Sequence, residues 1–206
     1  MKAELLDYTK ITNVMDSIRE CYDSFDKSDN GGPLDRKLVK KIIESGHTST
    51  LEHAVYYFKL SGFSRAVLQD LSRHRMASPS VKSTRYALKK MLRQDVPLSS
   101  LIVLTGNTNV DLANIATLTR IKGLMLEDPN IKNDYLKYMI PEALKVDERL
   151  TINARSLRNL ITLRVSPRAL WEIRDVVNAM WATIPEDHQI LFEDIRDVKC
   201  KKEKQK

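Results

Sequence analysis

Residues 73–86 read Arg-His-Arg-Met-Ala-Ser-Pro-Ser-Val-Lys-Ser-Thr-Arg-Tyr. Three Arg, one Lys, one His and three Ser are concentrated in this stretch. A guanidinium offers five N–H donors in a planar fork that matches a phosphate group. Ser hydroxyls and loop N–H groups complete such a cradle. The residue types point to an anion site, with phosphate the natural occupant. The plain alternative is a solvated basic loop with one capping Ser. Arg155, Arg158, Arg164 and Arg168 form a second cationic group, preceded by Asn153. Read alone it is a charged helix face behind an Asn cap. His47 and His53 lack a zinc-protease spacing and an evident third ligand, so no metal is expected. The six glycines include no GxGxxG or P-loop pattern.

These residues need elements to position them. Gly62 ends a strand expected over Leu51–Leu60, where Tyr56, Phe58 and Leu60 alternate with Tyr57 and Lys59. Ser64 then caps a helix running to about His74. Residues 75–87 form a loop that feeds a short strand. Residues 9–23 suggest a first helix. A second follows the Asp29–Pro33 turn, with Leu34, Leu38, Ile42 and Ile43 on one face and Gly46 as its stop. Asn109–Glu127 reads as a helix through Leu112, Ile115, Leu118 and Leu126. Tyr135–Ile140 is a short helix halted before Pro141, and Leu150–Asn153 a brief strand. From Arg168, a stripe of Leu170, Ile173, Val177, Met180 and Ile184 marks the clearest helix. Trp171 and Ile173 are assigned to the core. Helices dominate and the strands do not alternate with them, which predicts an α+β fold.

Composition narrows the class. At 206 residues the chain is long enough for one domain with a buried core. The net charge is +7, of which residues 199–206 carry +4 through five Lys and one Glu. A globular domain over 1–198 and a basic, solvated tail over 199–206 are therefore expected, with a body near neutrality. Cys21 and Cys200 show no framework spacing. The first ten residues lack the apolar run of a signal peptide, and the longest aliphatic run, Leu101–Leu104, is far too short for a membrane helix. A cytoplasmic protein is expected.

The order of residues adds a resemblance. Arg73, His74, Arg75, Ser78, Ser83 and Arg85 fall on the pattern RHRxxSxNxxSxR, with Ser80 in place of Asn. This resembles the signature of the flavin-dependent thymidylate synthases. The segment from His47 to His53, the NARSLRN run from Asn153 to Asn159, Leu163–Arg164 and Ala169–Arg174 resemble further segments of that family. The likeness runs from about Ser24 to Arg174. Residues 87–135 carry nothing recognised.

The resemblance implies an α+β enzyme with helices packed around a small, mostly antiparallel sheet, assembled as a homotetramer. It implies reductive methylation of dUMP to dTMP, with methylenetetrahydrofolate as carbon donor and NADPH-reduced FAD as hydride source, and no protein nucleophile. Flavin contacts would fall on Ser24, Ser49, Arg73, His74, Arg75, Asn153, Arg155 and Asn159. Nucleotide contacts would fall on Gln69, Asp70, Arg73, Val81, Lys82, Ser83, Thr84, Arg85, Lys137 and Arg164. Arg164 resembles the catalytic Arg that faces the pyrimidine and favours loss of the N3 proton, a fixed cation beside a developing anion. Asp70 stands where the family often has Gln, with Gln69 next to it. Lys137 replaces an Arg and loses its bidentate fork. Arg168 stands where some members have His.

Two other readings compete. In one, the Arg73–Arg85 loop with Tyr86 and the Lys tail tracks nucleic-acid phosphates. Few aromatics (6%) and a nearly neutral body speak against it. The other is a flavin-binding relative without synthase activity, ranked lower because Arg164 and Ser83–Arg85 are present.

Overall fold

A computed structural model describes residues 1–195. The basic tail, Cys200 and the expected boundary after residue 198 lie outside the described residues. The strands are β1 (Lys2–Tyr8), β2 (Val55–Ser64), β3 (Ala77–Val81) and β4 (Lys145–Asn153). They form one sheet in the order β1-β2-β4-β3. The helices are α1 (Thr12–Cys21), α2 (Pro33–Glu44), α3 (Arg65–Leu71), α4 (Thr84–Leu92), α5 (Thr108–Glu127), α6 (Asn133–Lys137), α7 (Ala154–Arg164) and α8 (Trp171–Ala182). The expected α+β class is met, with a small antiparallel sheet. No described helix is long and apolar enough to cross a membrane.

The chain clusters into two compact units. One comprises Met1–Lys2, Leu60–Arg73 and Ser80–Glu148; the other comprises Ala3–Lys59, His74–Pro79 and the described residues from Arg149 to 195. In the first, Leu88, Leu92, Ile102, Leu118, Ile121, Leu136 and Leu144 form one apolar core beneath α4, α5 and α6. In the second, α1 packs on α2 and α7 packs on α8, burying Val14, Ile18, Val39, Leu157, Ile161, Ile173 and Val177. The start of α2 is fixed twice. Pro33 opens the helix with its φ already set, and the Asp29 carboxylate accepts from the N–H groups of Leu34 (2.7 Å) and Asp35 (3.0 Å).

Strand β2 departs from expectation at both ends. Thr48–His53 is a 3-10 turn, so the strand starts at Val55, and it continues past Gly62 instead of ending there. The cause is a β-bulge. Tyr56, Phe58 and Leu60 are buried at even positions, but the next buried side chain is Phe63. Ala154 N–H bonds Ala54 O, and Arg65 N–H bonds Leu144 O, so β2 and β4 run antiparallel. Between those bonds β2 holds one residue more than β4. Gly62, at φ +73, absorbs that residue, and its N–H turns to the Asp147 carboxylate at 3.1 Å.

Other boundaries shift for local reasons. Strand β1 was not foreseen. Helix α1 is shorter than residues 9–23, and α3 stops at Leu71 rather than His74. The capping role of Ser64 holds, since its Oγ accepts from Val67 N–H at 3.3 Å. Strand β4 is longer than Leu150–Asn153, because Val146, Glu148, Leu150 and Ile152 all turn inward. The inward Glu148 disguised that alternation. Helix α6 spans Asn133–Lys137 in place of Tyr135–Ile140. On α2 the buried face is Asp35, Val39 and Ile42, leaving Leu34 exposed. On α5, Leu118 and Ile121 are buried while Leu112 and Leu126 are exposed. Ile173 is core, but Trp171 and Leu170 are exposed at the start of α8.

Candidate functional site

Helices α3, α4 and α7 begin in an unusual way. The positive end of a helix dipole favours acids in the first turn and disfavours cations. None of these three has an acid there, and Arg65, Arg85 and Arg155 occupy those turns instead. A cation at a helix N-terminus works against local stability. Together with the N–H groups of the first turn, it builds a place for an anion.

In the first unit, Arg65, Arg85, Asp134, Lys137 and Tyr138 line a cleft of about 480 Å³. Arg85 Nε forms an ion pair with Asp134 Oδ1 at 2.6 Å, and the Arg85 guanidinium lies 5.4 Å from the Tyr86 ring centroid. Lys82 is attached twice to β4. Its N–H donates to Asp147 O at 3.0 Å, and its Nζ lies 3.7 Å from Asp147 Oδ2. Ser83 is the cap residue of α4, yet its side chain makes no capping bond, so its exposed hydroxyl is not committed to the helix. Thr84 is buried and its Oγ1 accepts from Arg65 Nη1 at 3.4 Å. Val81 closes β3 half-buried. Asp70 accepts from Arg73 three residues along α3 and beyond its end. Gln69 Nε2 donates to Glu142 Oε2 at 3.0 Å.

In the second unit, His74 and Arg164 meet. Arg164 Nε donates to His74 Nε2 at 3.0 Å, which places the imidazole proton on Nδ1. Arg164 is the last residue of α7, where a cation is favoured by the dipole. At the other end of α7, Asn153 Oδ1 accepts from Ser156 N–H at 2.8 Å, so Asn153 is an N-cap. Arg155 Nη1 donates to Glu52 Oε1 at 2.7 Å, and Asn159 is exposed one turn further along the same face. Arg75 and Ser49 are exposed, Ser24 is buried, and Met76 holds φ +63, a strained value for a non-glycine residue. Thr50 beside Ser49 is buried, and its Oγ1 has no hydrogen-bond partner among the described residues.

The structure thus groups Arg85 and Lys137 in one cleft and Arg164 with His74 in the other unit. Sequence reasoning missed Arg65, Asp134 and Tyr138 in the cleft. Arg65 had a legible signal, a cation directly after the capping Ser64. Glu148 was also missed. It is 2% exposed on β4, and burial pushes its carboxyl up to about 7. The nucleic-acid reading loses ground for a geometric reason. Arg73, Lys82 and Arg85 each face a carboxylate, so the loop is not an open basic track.

The chain matches the family described as thymidylate synthase complementing protein over residues 4–188. A flavin-dependent thymidylate synthase of Campylobacter jejuni is 43% identical over 202 residues, covering 94% of this chain and 96% of that protein. One from Helicobacter pylori is 40% identical over 198 residues, covering 91% and 95%. A crystal structure of thymidylate synthase X from Helicobacter pylori with FAD and dUMP is similar at a TM-score of 0.86 and 40% identity. The match covers 94% of this chain and 98% of that one.

Proposed function

The chain belongs to the thymidylate synthase complementing proteins, the flavin-dependent thymidylate synthases, and from that premise we propose how its residues divide the work. The reaction is reductive methylation of dUMP to dTMP. The observation that carries the division is the Arg164–His74 hydrogen bond, which ties the Arg73–Arg85 signature segment to a residue ninety positions later.

Arg65, Arg85 and Lys137 take the nucleotide phosphate, with the Ser83 hydroxyl and the N–H groups of the α4 first turn completing the cradle. Asp70 holds Arg73. Arg164 faces the pyrimidine. Its guanidinium plane is held by the bond to His74, and the fixed positive charge favours loss of the N3 proton. That loss enriches C5 in electrons so that it can attack the one-carbon unit without an enzyme nucleophile. Ser83 binds and does not attack. Neutral His74 accepts through Nε2 and leaves the Arg164 charge undiminished.

The donor set fits FAD. Arg73, Arg75 and Arg155 supply cations for a pyrophosphate, Asn153 and Asn159 supply amides, and the buried Thr50 Oγ1 lacks a partner among the described residues. Ser24, Ser49 and His74 complete the proposed flavin contacts. When bound, the flavin supplies the hydride that completes the methyl group. Methylenetetrahydrofolate as carbon donor, NADPH as reductant and a homotetrameric, cytoplasmic enzyme complete the reading.

The test is tritium release from 5-tritiated dUMP with FAD, NADPH and methylenetetrahydrofolate, together with identification of dTMP. Release that requires both flavin and folate is expected. Stoichiometric flavin without release would overturn the substrate assignment, and neither flavin nor release would overturn the whole reading.

A further inference from the structure

We propose that Glu142 is a positioning residue for nucleotide binding: together with Gln69 it holds the Arg65 guanidinium toward the phosphate cleft. The inference rests on the function proposed above. Glu142 is anchored through its backbone, since its carbonyl accepts from Ala66 N–H at 3.1 Å, two residues before Leu144 O takes Arg65 N–H at 3.1 Å. The carboxylate then reaches across α3. Oε1 lies 3.6 Å from Arg65 Nη2, and Oε2 accepts from Gln69 Nε2 at 3.0 Å. Arg65 and Gln69 are one turn apart on α3, so a single carboxylate links both. On its other side, Arg65 Nη1 donates to Thr84 Oγ1 at 3.4 Å, in the first turn of α4. The guanidinium is therefore held between Glu142 and the start of α4, where it lines the cleft with Arg85 and Lys137.

A purely structural ion pair does not account for this arrangement. The Glu142 side chain is 50% exposed, and an exposed pair contributes little to stability. Arg65 Nε is buried without a hydrogen-bond partner among the described residues. A buried donor left unsatisfied is costly in a group placed only for packing; here Nη1 reaches Thr84 Oγ1 and Nη2 faces the Glu142 carboxylate at the edge of the cleft, while Nε stays unsatisfied. Holding a long cation in its binding pose before the ligand arrives removes the ordering cost from the binding step. Gln69 then acts through Glu142 and not on the nucleotide.

The experiment uses the flavin-loaded full chain. Kd for dUMP, KM and kcat are measured for wild type, Glu142→Ala, Glu142→Gln, Arg65→Ala and the double Arg65→Ala/Glu142→Ala variant. Flavin content and the thermal midpoint serve as fold controls. Glu142→Ala should raise Kd and KM for dUMP by about five- to tenfold, with kcat at saturation within about twofold. Glu142→Gln keeps an oxygen acceptor and should recover most of the affinity. The double variant should bind dUMP no more weakly than Arg65→Ala alone. An unchanged Kd in folded Glu142→Ala, full additivity with Arg65→Ala, or a lowered kcat at unchanged KM would overturn the inference. A wild-type chain that neither binds nor converts dUMP would overturn the proposed function as well. Normal wild-type turnover beside an indifferent Glu142→Ala would remove only this inference.

Discussion

Arg164 is placed by two local facts, its position at the end of α7 and the attraction between a cation and that end of the helix dipole, and by one long-range one, the bond to His74 Nε2. Removing it deletes the fixed charge but leaves the proposed flavin contacts on Arg73, Arg75 and Arg155 in place. Arg164→Ala should lower turnover by roughly 10²–10³-fold while flavin is retained, as read by the bound-flavin spectrum beside steady-state rates. Glu148 makes a different prediction. Burial raises its carboxyl from 4.5 to about 7, so the folded chain holds the proton more tightly than the unfolded chain does. The associated stability is present below pH 4.5 and is lost as pH rises through about 7, a difference of roughly 3 kcal/mol. Glu148→Gln keeps the neutral shape. Its thermal midpoint should exceed that of wild type by about 5 °C or more at pH 8 and match it near pH 4.5. Equal midpoints at pH 8 would show that Glu148 is not held in an apolar setting.

At the scale of elements, the bulge in β2 decides which residues reach the site. Without the extra residue, Phe63 would face away from the buried side and Arg65 would leave the strand half a pleat out of register. The bulge depends on a positive φ that suits glycine. A Cβ at Gly62 meets only ordinary contact distances, 3.8 Å to Met1. The cost of Gly62→Ala is therefore conformational, about 1 kcal/mol. Chemical denaturation should report that loss with the cooperativity unchanged. A neutral effect would mean the strand accommodates alanine by another route. Helix α2 depends instead on charge. Asp35 is buried, which opposes ionisation, but hydrogen bonds from Gly31 N–H, Arg19 and Ser28 outweigh the burial and hold its carboxyl below the usual range. The expected stripe of Leu34, Leu38, Ile42 and Ile43 shares only Ile42 with the buried face, which is turned toward Asp35 and Val39 because the ionised Asp35 is held inside by its hydrogen bonds.

At the scale of the molecule, the exposed apolar side chains carry information. Tyr138 is 92% exposed, Leu126 77% and Met76 69%, with Leu170 and Trp171 also on the surface. Large apolar groups left in water favour association, which supports the proposed homotetramer. Light scattering coupled to size-exclusion chromatography should give four times 23.7 kDa, about 95 kDa. A monomer mass at working concentration would rule out the tetramer and leave those side chains unexplained.

The chemistry of this protein was legible before its shape. The Arg73–Arg85 signature and the run from Asn153 to Asn159 depend on residue type and short spacing, and backbone geometry makes spacing local. The α+β class, the Ser64 cap and the long helix α5 follow from the same short-range rules. Long-range pairing was not legible. Nothing in the order of residues says that Glu142 reaches Arg65 and Gln69, that His74 accepts from Arg164, or that Asp147 takes the N–H of Gly62. Those contacts join residues 70–90 positions apart, and only the packed sheet and the antiparallel register of β2 against β4 bring them into reach. Burial was decided at the same level. Glu148 is a charged residue by sequence, and the pleat of a central strand alone turns it inward and changes its chemistry.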